Sequence, residues 1–203
     1  MHLLRRQHPS LLSCERGTAF VEFAMSLSVL LLLFLGSIEV TRYVLIMQKV
    51  EKIAQTVADV VTQADPNSAP LTTTEMTQIM GAVPDMMNPY AFGASGYVIV
   101  TDLTYVTVGA SNTYVINWQY CGGGTLYANA NNSHIGYVGM PGTPSPPANF
   151  TMILNEEIVV AEVFYNFTPL TTTKWSVMGA SQIYRNSIFM PRLGQLTGFS
   201  SHC

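Results

Sequence analysis

An uncharged apolar run near the amino terminus constrains this chain more than any other feature. The run reads FAMSLSVLLLLFLGSI, sixteen residues without a charge between Glu22 and Glu39. A mostly apolar stretch of about twenty residues is long enough to cross the hydrocarbon core of a bilayer as a helix. A carboxylate inside such a segment is costly unless it is paired. The run therefore predicts a membrane-spanning helix, and Glu22 at its head is expected to need a partner.

Charged residues are few, and they are unevenly placed along the chain. Only 10% of the 203 residues are charged and the formal net charge is −3, which argues against a basic face for nucleic acid. Arg5, Arg6 and Arg16 precede the apolar run, whereas residues 64–203 carry seven acids against three bases. Positive charge beside a span is typical of its cytoplasmic side, so we expect the large domain on the opposite side of the membrane.

Beyond the run, apolar residues continue at a spacing typical of an amphipathic helix. They fall in a heptad spacing, at Tyr43, Ile46, Val50, Ile53, Val57 and Val60. One helix over residues 18–63 would be roughly 70 Å long, of which a bilayer takes only about 30 Å. The apolar stripe of the remaining stem faces either the protein's own soluble domain, which is the simpler arrangement, or a partner helix.

The carboxyl-terminal part, residues 64–203, is predicted to be one α+β domain. A short helix is expected over 72–81, because Thr72 and Glu75 have capping-box spacing, and AVPDMMNPYAFGASG is expected to end it. Strands are expected at 97–108, 113–120, 156–168 and 174–189, the first two joined by the four-residue connection GASN. Residues 121–150 are rich in glycine, proline and asparagine and predict an excursion from the sheet. Such a small antiparallel sheet would bury one face against the stem helix.

Neither the histidines nor the acidic residues form a recognisable catalytic or metal-binding motif. Glu156 and Glu162 share one face of the expected third strand and Glu157 lies on the other, and we interpret all three as solvated or salt-bridged acids at a strand end. His134 is interpreted as a surface residue of a loop. We therefore expect no cofactor, no metal and no enzymatic activity.

Three cysteines are present, and their placement bears on the redox compartment. Cys14 lies on the predicted cytoplasmic side, which leaves Cys121 and Cys203 together in the large domain. In an oxidising compartment these two are expected to form a disulfide, with two free thiols as the alternative.

The amino terminus itself admits three interpretations. A secretory signal peptide has its cleavage site after the apolar core, and the only candidate there is Gly36-Ser37, in the middle of the expected helix. A lipoprotein signal ending at Cys14 fails because the apolar core follows the cysteine instead of preceding it. The third interpretation treats RG/TAFVE as a processing site, with Gly17 before the cut, Thr18 after it and Glu22 as the fifth residue of the mature chain.

This arrangement resembles the class III leader of type IV prepilin-like proteins. The wider segment, from ERGTAFVEFAMSLS to VADVVTQ, is similar to the TadE-like family of minor pilins and pseudopilins from tight-adherence (Flp-type) pilus systems, with Glu39 and Arg42 at its acidic and arginine positions. The strand NEEIVVAEVFYNFTPL at 155–170 resembles a second family segment. Phe23 stands where many pilins carry tyrosine, which favours a minor, TadE-like member over a major pilin.

The resemblance implies both a mechanism and a set of partners. It implies a pilin-like fold and a leader, residues 1–17, removed by a prepilin peptidase between Gly17 and Thr18. Glu22 would then pair with the new amine of Thr18 on a neighbouring subunit, with Phe23 beside it in recognition. The partners would be other pilins, assembly proteins and membrane lipid, and the location a bacterial inner membrane with a periplasmic domain. The alternative is an uncleaved, membrane-anchored module that binds periplasmic proteins.

Overall fold

The computed structural model describes residues 15–68, 70–124, 130–148, 150–170, 179–196 and 199–203. One helix, α1, runs without interruption from Glu15–Val61, 47 residues that span roughly 70 Å. The helix passes through Gly36 and Ser37, as the stem periodicity predicts. The expected long helix is therefore present, and it ends two residues before the predicted boundary.

Two further helices follow α1. Helix α2 covers Thr73–Met87 and begins with the predicted capping box, in which Thr72 Oγ1 accepts from the Glu75 amide and the Glu75 carboxylate accepts from the Thr72 amide. The prediction that α2 ends near residue 81 is wrong, because the helix continues through Pro84. Burial of Met80, Val83 and Met87 against the core offsets the hydrogen bond that proline cannot make. Helix α3 is a single turn, Phe92–Ser95.

Four antiparallel strands form one sheet in the order β2-β1-β3-β4. Their bounds are β1 Gly96–Val108, β2 Ser111–Gly122, β3 Glu157–Phe167 and β4 Ser181–Phe189. The first hairpin turns over Gly109 and Ala110 alone, since Ser111 and Asn112 already pair with Val108 and Thr107, so the expected four-residue connection is wrong. The positive φ of Gly109, 66°, permits this tighter turn. The last strand begins at Ser181, and the predicted strand residues 174–178 lie outside the described residues.

The sheet is covered on both of its faces. On one face α1 packs against β3 and β4, with Val50, Ile53 and Val57 buried among strand residues such as Val159 and Val163. The intramolecular interpretation of the stem is thereby confirmed, except that Val60 is 41% exposed while Val61 is buried. The 3.6-residue helical period explains this difference, because it shifts the buried stripe relative to a strict heptad.

The opposite face is covered by the connection between β2 and β3, which contains a short 3-10 helix at Ala130–Asn132. Ile135 and Met152 of this connection pack on Leu103, Ile158 and Val160. The predicted excursion therefore folds back over the sheet. Strand β3 is central and buried on both faces, as its continuous apolar run Ile158 to Ala161 predicts.

Candidate functional site

The first half of α1 projects from the domain with its side chains exposed. Residues 17–35 are all exposed, and an 18-residue window within Gly17–Val61 reaches a mean hydropathy of 2.2 with none of that window buried. Large apolar groups on a soluble surface are normally few and scattered, and this unbroken set is a lipid-facing or protein-facing surface. The helix is therefore long and apolar enough to act as a membrane anchor.

The four residues predicted to take part in processing and subunit recognition lie in the first turns of this projecting helix. Glu22 stands one turn after Thr18 on the same helix face, and Phe23 next to it is 63% exposed. Gly17 faces open space, since a Cβ placed there meets nothing within 4 Å. Among the hydrogen bonds and ion pairs that join described residues, none uses the Glu22 carboxylate. The geometry leaves Gly17 and Glu22 accessible to another molecule.

Arg42 joins the projecting helix to the domain. Its guanidinium donates from Nη1 to the Thr168 carbonyl at 3.0 Å and lies 5.6 Å from the Phe167 ring centroid and 5.9 Å from that of Tyr90. A guanidinium over an aromatic face is attracted by the electrons of the ring. Glu39, one turn earlier, is only 2% exposed. The acidic and arginine positions singled out in the sequence therefore lie where the anchor meets the domain.

Glu162 is the centre of a buried polar cluster on the face of the sheet that the connection between β2 and β3 covers. Its carboxylate accepts hydrogen bonds from Ser133 Oγ, from the His134 amide at 2.9 Å and from Tyr184 Oη at 2.9 Å. His134 is exposed, as predicted, and its ring lies tilted against that of Tyr184, with 4.1 Å between centroids. Burial raises the pKa of Glu162, against the opposing effect of its three donors.

A second buried acid, Glu157, lies on the helix-covered face together with Asp102 of β1. Both side chains are buried, and Glu157 Oε1 accepts from the Leu196 amide at 2.7 Å. Asp102 Oδ2 accepts from Asn117 Nδ2 at 2.7 Å. Burial first, and then the charge of Glu157, raises the pKa of Asp102 to about 8.

The interpretation of the three glutamates as solvated or salt-bridged is therefore wrong for Glu157 and Glu162. Alternation along the strand placed them correctly on opposite faces, but it gave no sign of the polar groups that meet them. Those groups come from β1, from the connection between β2 and β3, from β4 and from the carboxyl-terminal segment. One signal was available: Asp102 stands at an even position with the inward-facing Val98 and Val100, which indicates burial on the helix side.

The C-terminal strap, defined as residues 190–196 and 199–203, crosses the end of the sheet and borders the outer edge of β2. The predicted disulfide joins Cys121 of β2 to Cys203, with 4.9 Å between the Cα atoms. Beside it, the His202 amide donates to the Gln119 carbonyl at 2.8 Å and the Cys121 amide donates to the His202 carbonyl at 2.9 Å. The strap therefore covers part of an edge strand that would otherwise have unpaired backbone groups.

Aromatic residues pack between the strap and the sheet. Trp118 is completely buried, and its Nε1 donates to the Leu196 carbonyl at 2.9 Å. Phe199 packs edge-on against the same indole, with 4.9 Å between ring centroids. Arg192 pairs with Asp59 at the end of α1, 2.6 Å from Nη2 to Oδ1. The strap is thus bonded to α1 through Arg192, and to β2 through Trp118, the backbone bonds and the disulfide.

These features define a class of protein: a small α+β domain carried on one amino-terminal helix that is apolar and long enough to anchor it in a membrane. Residues 17–59 match the family model of the TadE-like proteins, which confirms the resemblance over the segment that carries it. The match begins at Gly17 and includes Glu22, Glu39 and Arg42. No curated protein and no solved structure gives a significant match to the chain.

Proposed function

We propose that this protein is a minor pilin or pseudopilin that assists the assembly of a tight-adherence pilus. The observation that carries the proposal is the TadE-like match over residues 17–59, which covers the exposed, apolar part of α1 and nearly all of the stem. On this proposal the protein acts by contacts with other pilus and assembly proteins and with lipid, and not by catalysis. The domain would face the periplasm of a bacterial inner membrane, with the amino terminus in the cytoplasm.

Processing is the first step of the proposed pathway. A prepilin peptidase would cut between Gly17 and Thr18, so that residues 1–17 form the leader, 18–63 the anchor and stem, and 64–203 the periplasmic domain. The exposure of the helix around Gly17 supports access by a membrane peptidase. The amine created at Thr18 would then pair with Glu22 of a neighbouring subunit. Pairing would make a carboxylate tolerable in an apolar surrounding, where an isolated one is costly.

The first prediction concerns Gly17. The protein purified from its native membrane is expected to begin at Thr18, and Gly17→Ala or the bulkier Gly17→Leu is expected to leave the leader attached. Because a Cβ at Gly17 meets nothing within 4 Å, the change adds no steric conflict within the chain. Gly81→Ala is the matched control, since Gly81 also lies in a helix with open space around it. Amino-terminal sequencing and intact mass measure both variants.

Two results would overturn the processing step. A wild-type chain that begins at Met1 would favour the uncleaved, membrane-anchored binding module. A chain that begins near Ser37 would mean that the apolar run is a cleaved signal peptide.

The second prediction concerns Glu22. Glu22→Gln is expected to be processed normally but to enter the assembled pilus fraction at least about tenfold less, because removing one charge of a buried pair costs several kcal/mol. Ser28→Ala is the matched control, since among the described residues the Ser28 hydroxyl bonds to the Ala24 carbonyl of its own helix. Quantitative immunoblotting of membrane and sheared-pilus fractions measures the effect. Equal incorporation of Glu22→Gln and wild type would contradict the pairing role.

A further inference from the structure

Two buried carboxyl groups meet beneath the C-terminal strap, and their hydrogen bonds are incomplete. Asp102 and Glu157 each use one oxygen to accept from an ordinary donor, Asn117 Nδ2 and the Leu196 amide respectively. The other two oxygens, Asp102 Oδ1 and Glu157 Oε2, are buried and have no donor among the described residues. A buried acceptor without a donor is costly. The heavy atoms of the described residues supply no donor for these two oxygens. The oxygens therefore need a hydrogen, or another group, between them.

The two side chains are within reach of one another. Asp102 pairs with Val159 and Glu157 pairs with Thr104, so the two acids are diagonal neighbours on the helix-covered face of β1 and β3. Diagonal neighbours on one face of a sheet are within reach of long side chains, so the two buried oxygens without a donor can lie against one another. Two ionised carboxylates have no proton between them and cannot form that bond, whereas one acid and one carboxylate can.

We propose that Asp102 and Glu157 share one proton, and that this proton holds the C-terminal strap closed. In this arrangement the Asp102 carboxyl donates to Glu157 Oε2, and the charged Glu157 carboxylate accepts that bond together with the Leu196 amide. Loss of the proton leaves two negative charges side by side in a dry site. The strap is the element expected to yield, because its Leu196 amide is bonded to Glu157, whereas the donor to Asp102 belongs to β2 of the sheet.

Among the described residues, no positive charge near the pair replaces the proton. On β2 the neighbouring side chains are Asn117 and Trp118, both neutral. On α1 Asp59 is already paired with Arg192 of the strap. His202, also on the strap, lies against the Tyr120 ring with 5.3 Å between centroids. The attraction that balances the two carboxyl groups is therefore the shared proton itself.

The direction of the pH effect follows from proton linkage. Burial raises the pKa of both acids above their ordinary values of 3.8 and 4.5, and that of Asp102 to about 8. At a pH between the ordinary pKa values and about 8, the chain with a closed strap holds a proton that the chain with an open strap releases. Closure of the strap is therefore favoured at low pH and lost as the pH rises toward 8. Opening of the strap is expected to increase about tenfold per pH unit, the dependence for one released proton.

The test uses the full chain in detergent micelles, with its disulfide intact. Chymotrypsin cleaves after Phe199 only when the strap opens, and mass spectrometry after reduction detects loss of the last four residues. The cleavage rate, divided by that of the unfolded chain at each pH, is expected to rise about tenfold per unit from about pH 6 to about pH 8. The melting temperature is expected to fall over the same range.

Two isosteric variants make the proposal falsifiable. In Asp102→Asn the amide can donate permanently to Glu157 and still accept from Asn117, so the steep rise in cleavage should disappear. Glu157→Gln, whose amide can donate to Asp102 and still accept from Leu196, is the second variant should the first not fold. Glu156→Gln is the matched control, because it removes the neighbouring charge outside the pair and should follow the wild type.

Three results would overturn the proposal. Cleavage profiles of Asp102→Asn and Glu157→Gln that run parallel to that of the wild type would show that no proton is shared. A wild-type cleavage rate, relative to that of the unfolded chain, that does not change with pH would also show that no proton is shared. A melting temperature raised by calcium and lowered by a chelator would mean that a cation, and not a proton, lies between the two carboxyl groups. None of these measurements depends on pilus assembly, so the inference stands or fails separately from the proposed function.

Discussion

Replacing Cys121 and Cys203 together by serine is expected to lower the free energy of unfolding by roughly 2–5 kcal/mol, the usual effect of losing a native disulfide from a small domain. The bond closes a loop with a sequence separation of 82 residues, so its loss frees a large part of the unfolded chain. It also releases the end of the strap, whose backbone bonds at Gln119 and Cys121 lie beside it. Denaturant unfolding of the full chain in micelles measures the change.

Cys14→Ser in the unprocessed chain of 203 residues is the control for the disulfide, because it removes a thiol without touching the bond. Its unfolding curve should coincide with that of the wild type. Reduction of the wild type should reproduce the curve of the double variant. A double variant as stable as the wild type would contradict the assigned role of the bond, and an intact mass two hydrogen atoms below the reduced value checks that the bond forms.

Trp118→Ala is expected to cost about 3–5 kcal/mol, the range for removing a large buried aromatic side chain. Trp118 is completely buried, and its loss removes the packing surface of Phe199 and the donor to the Leu196 carbonyl. The strap should then open more readily at every pH, with an unchanged pH dependence. Variants that remove the shared proton, in contrast, change the pH dependence itself. Denaturant unfolding and the chymotrypsin assay separate these two effects.

Trp118→Phe separates packing from hydrogen bonding. It keeps most of the apolar volume and loses the Nε1 donor, so it should cost about 1–3 kcal/mol, the penalty of a buried carbonyl left without a partner. Ile153→Ala is the surface control, because Ile153 is 73% exposed and its loss should change stability by less than about 0.5 kcal/mol. Equal costs for Trp118→Ala and Ile153→Ala would contradict the buried position of the indole.

The anchor and the domain are connected by specific contacts, and not by a flexible linker. Helix α1 continues from the exposed apolar segment into the core, and Arg42 contacts β3 through Thr168 and Phe167. Lys49 adds a bond from Nζ to the Asn88 carbonyl at 2.9 Å after α2. A displacement of the exposed half of α1 would therefore also move the groups of the domain that these side chains contact. This continuity suits the proposed role, in which the protein acts through contacts of both its apolar helix and its domain.

Local patterns of the sequence determined much of this architecture. The apolar run, the stem periodicity and the capping box at Thr72 each depend on residues a few positions apart, so they could be interpreted without knowing the fold. The central position of β3 followed from its apolar run, and the disulfide followed from having two cysteines in one compartment. The position of Gly17 and Glu22 at the start of one long helix likewise followed from the order of residues, whereas their exposure was visible only in the structure.

Tertiary structure alone decided the rest, because the remaining interactions join residues far apart in the chain. Glu162 and Ser133 are 29 residues apart, and Leu196 is 39 residues from Glu157, so strand alternation could assign a face to each acid but not its partners. Helix α2 continues through Pro84 because its neighbours bury apolar surface against the core. Whether a carboxyl group is solvated or buried depends on which segments fold over it. Local composition predicts helices and strands. The protonation of Asp102 and Glu157 and the closure of the strap depend instead on the free energy of burial, which is summed over distant segments.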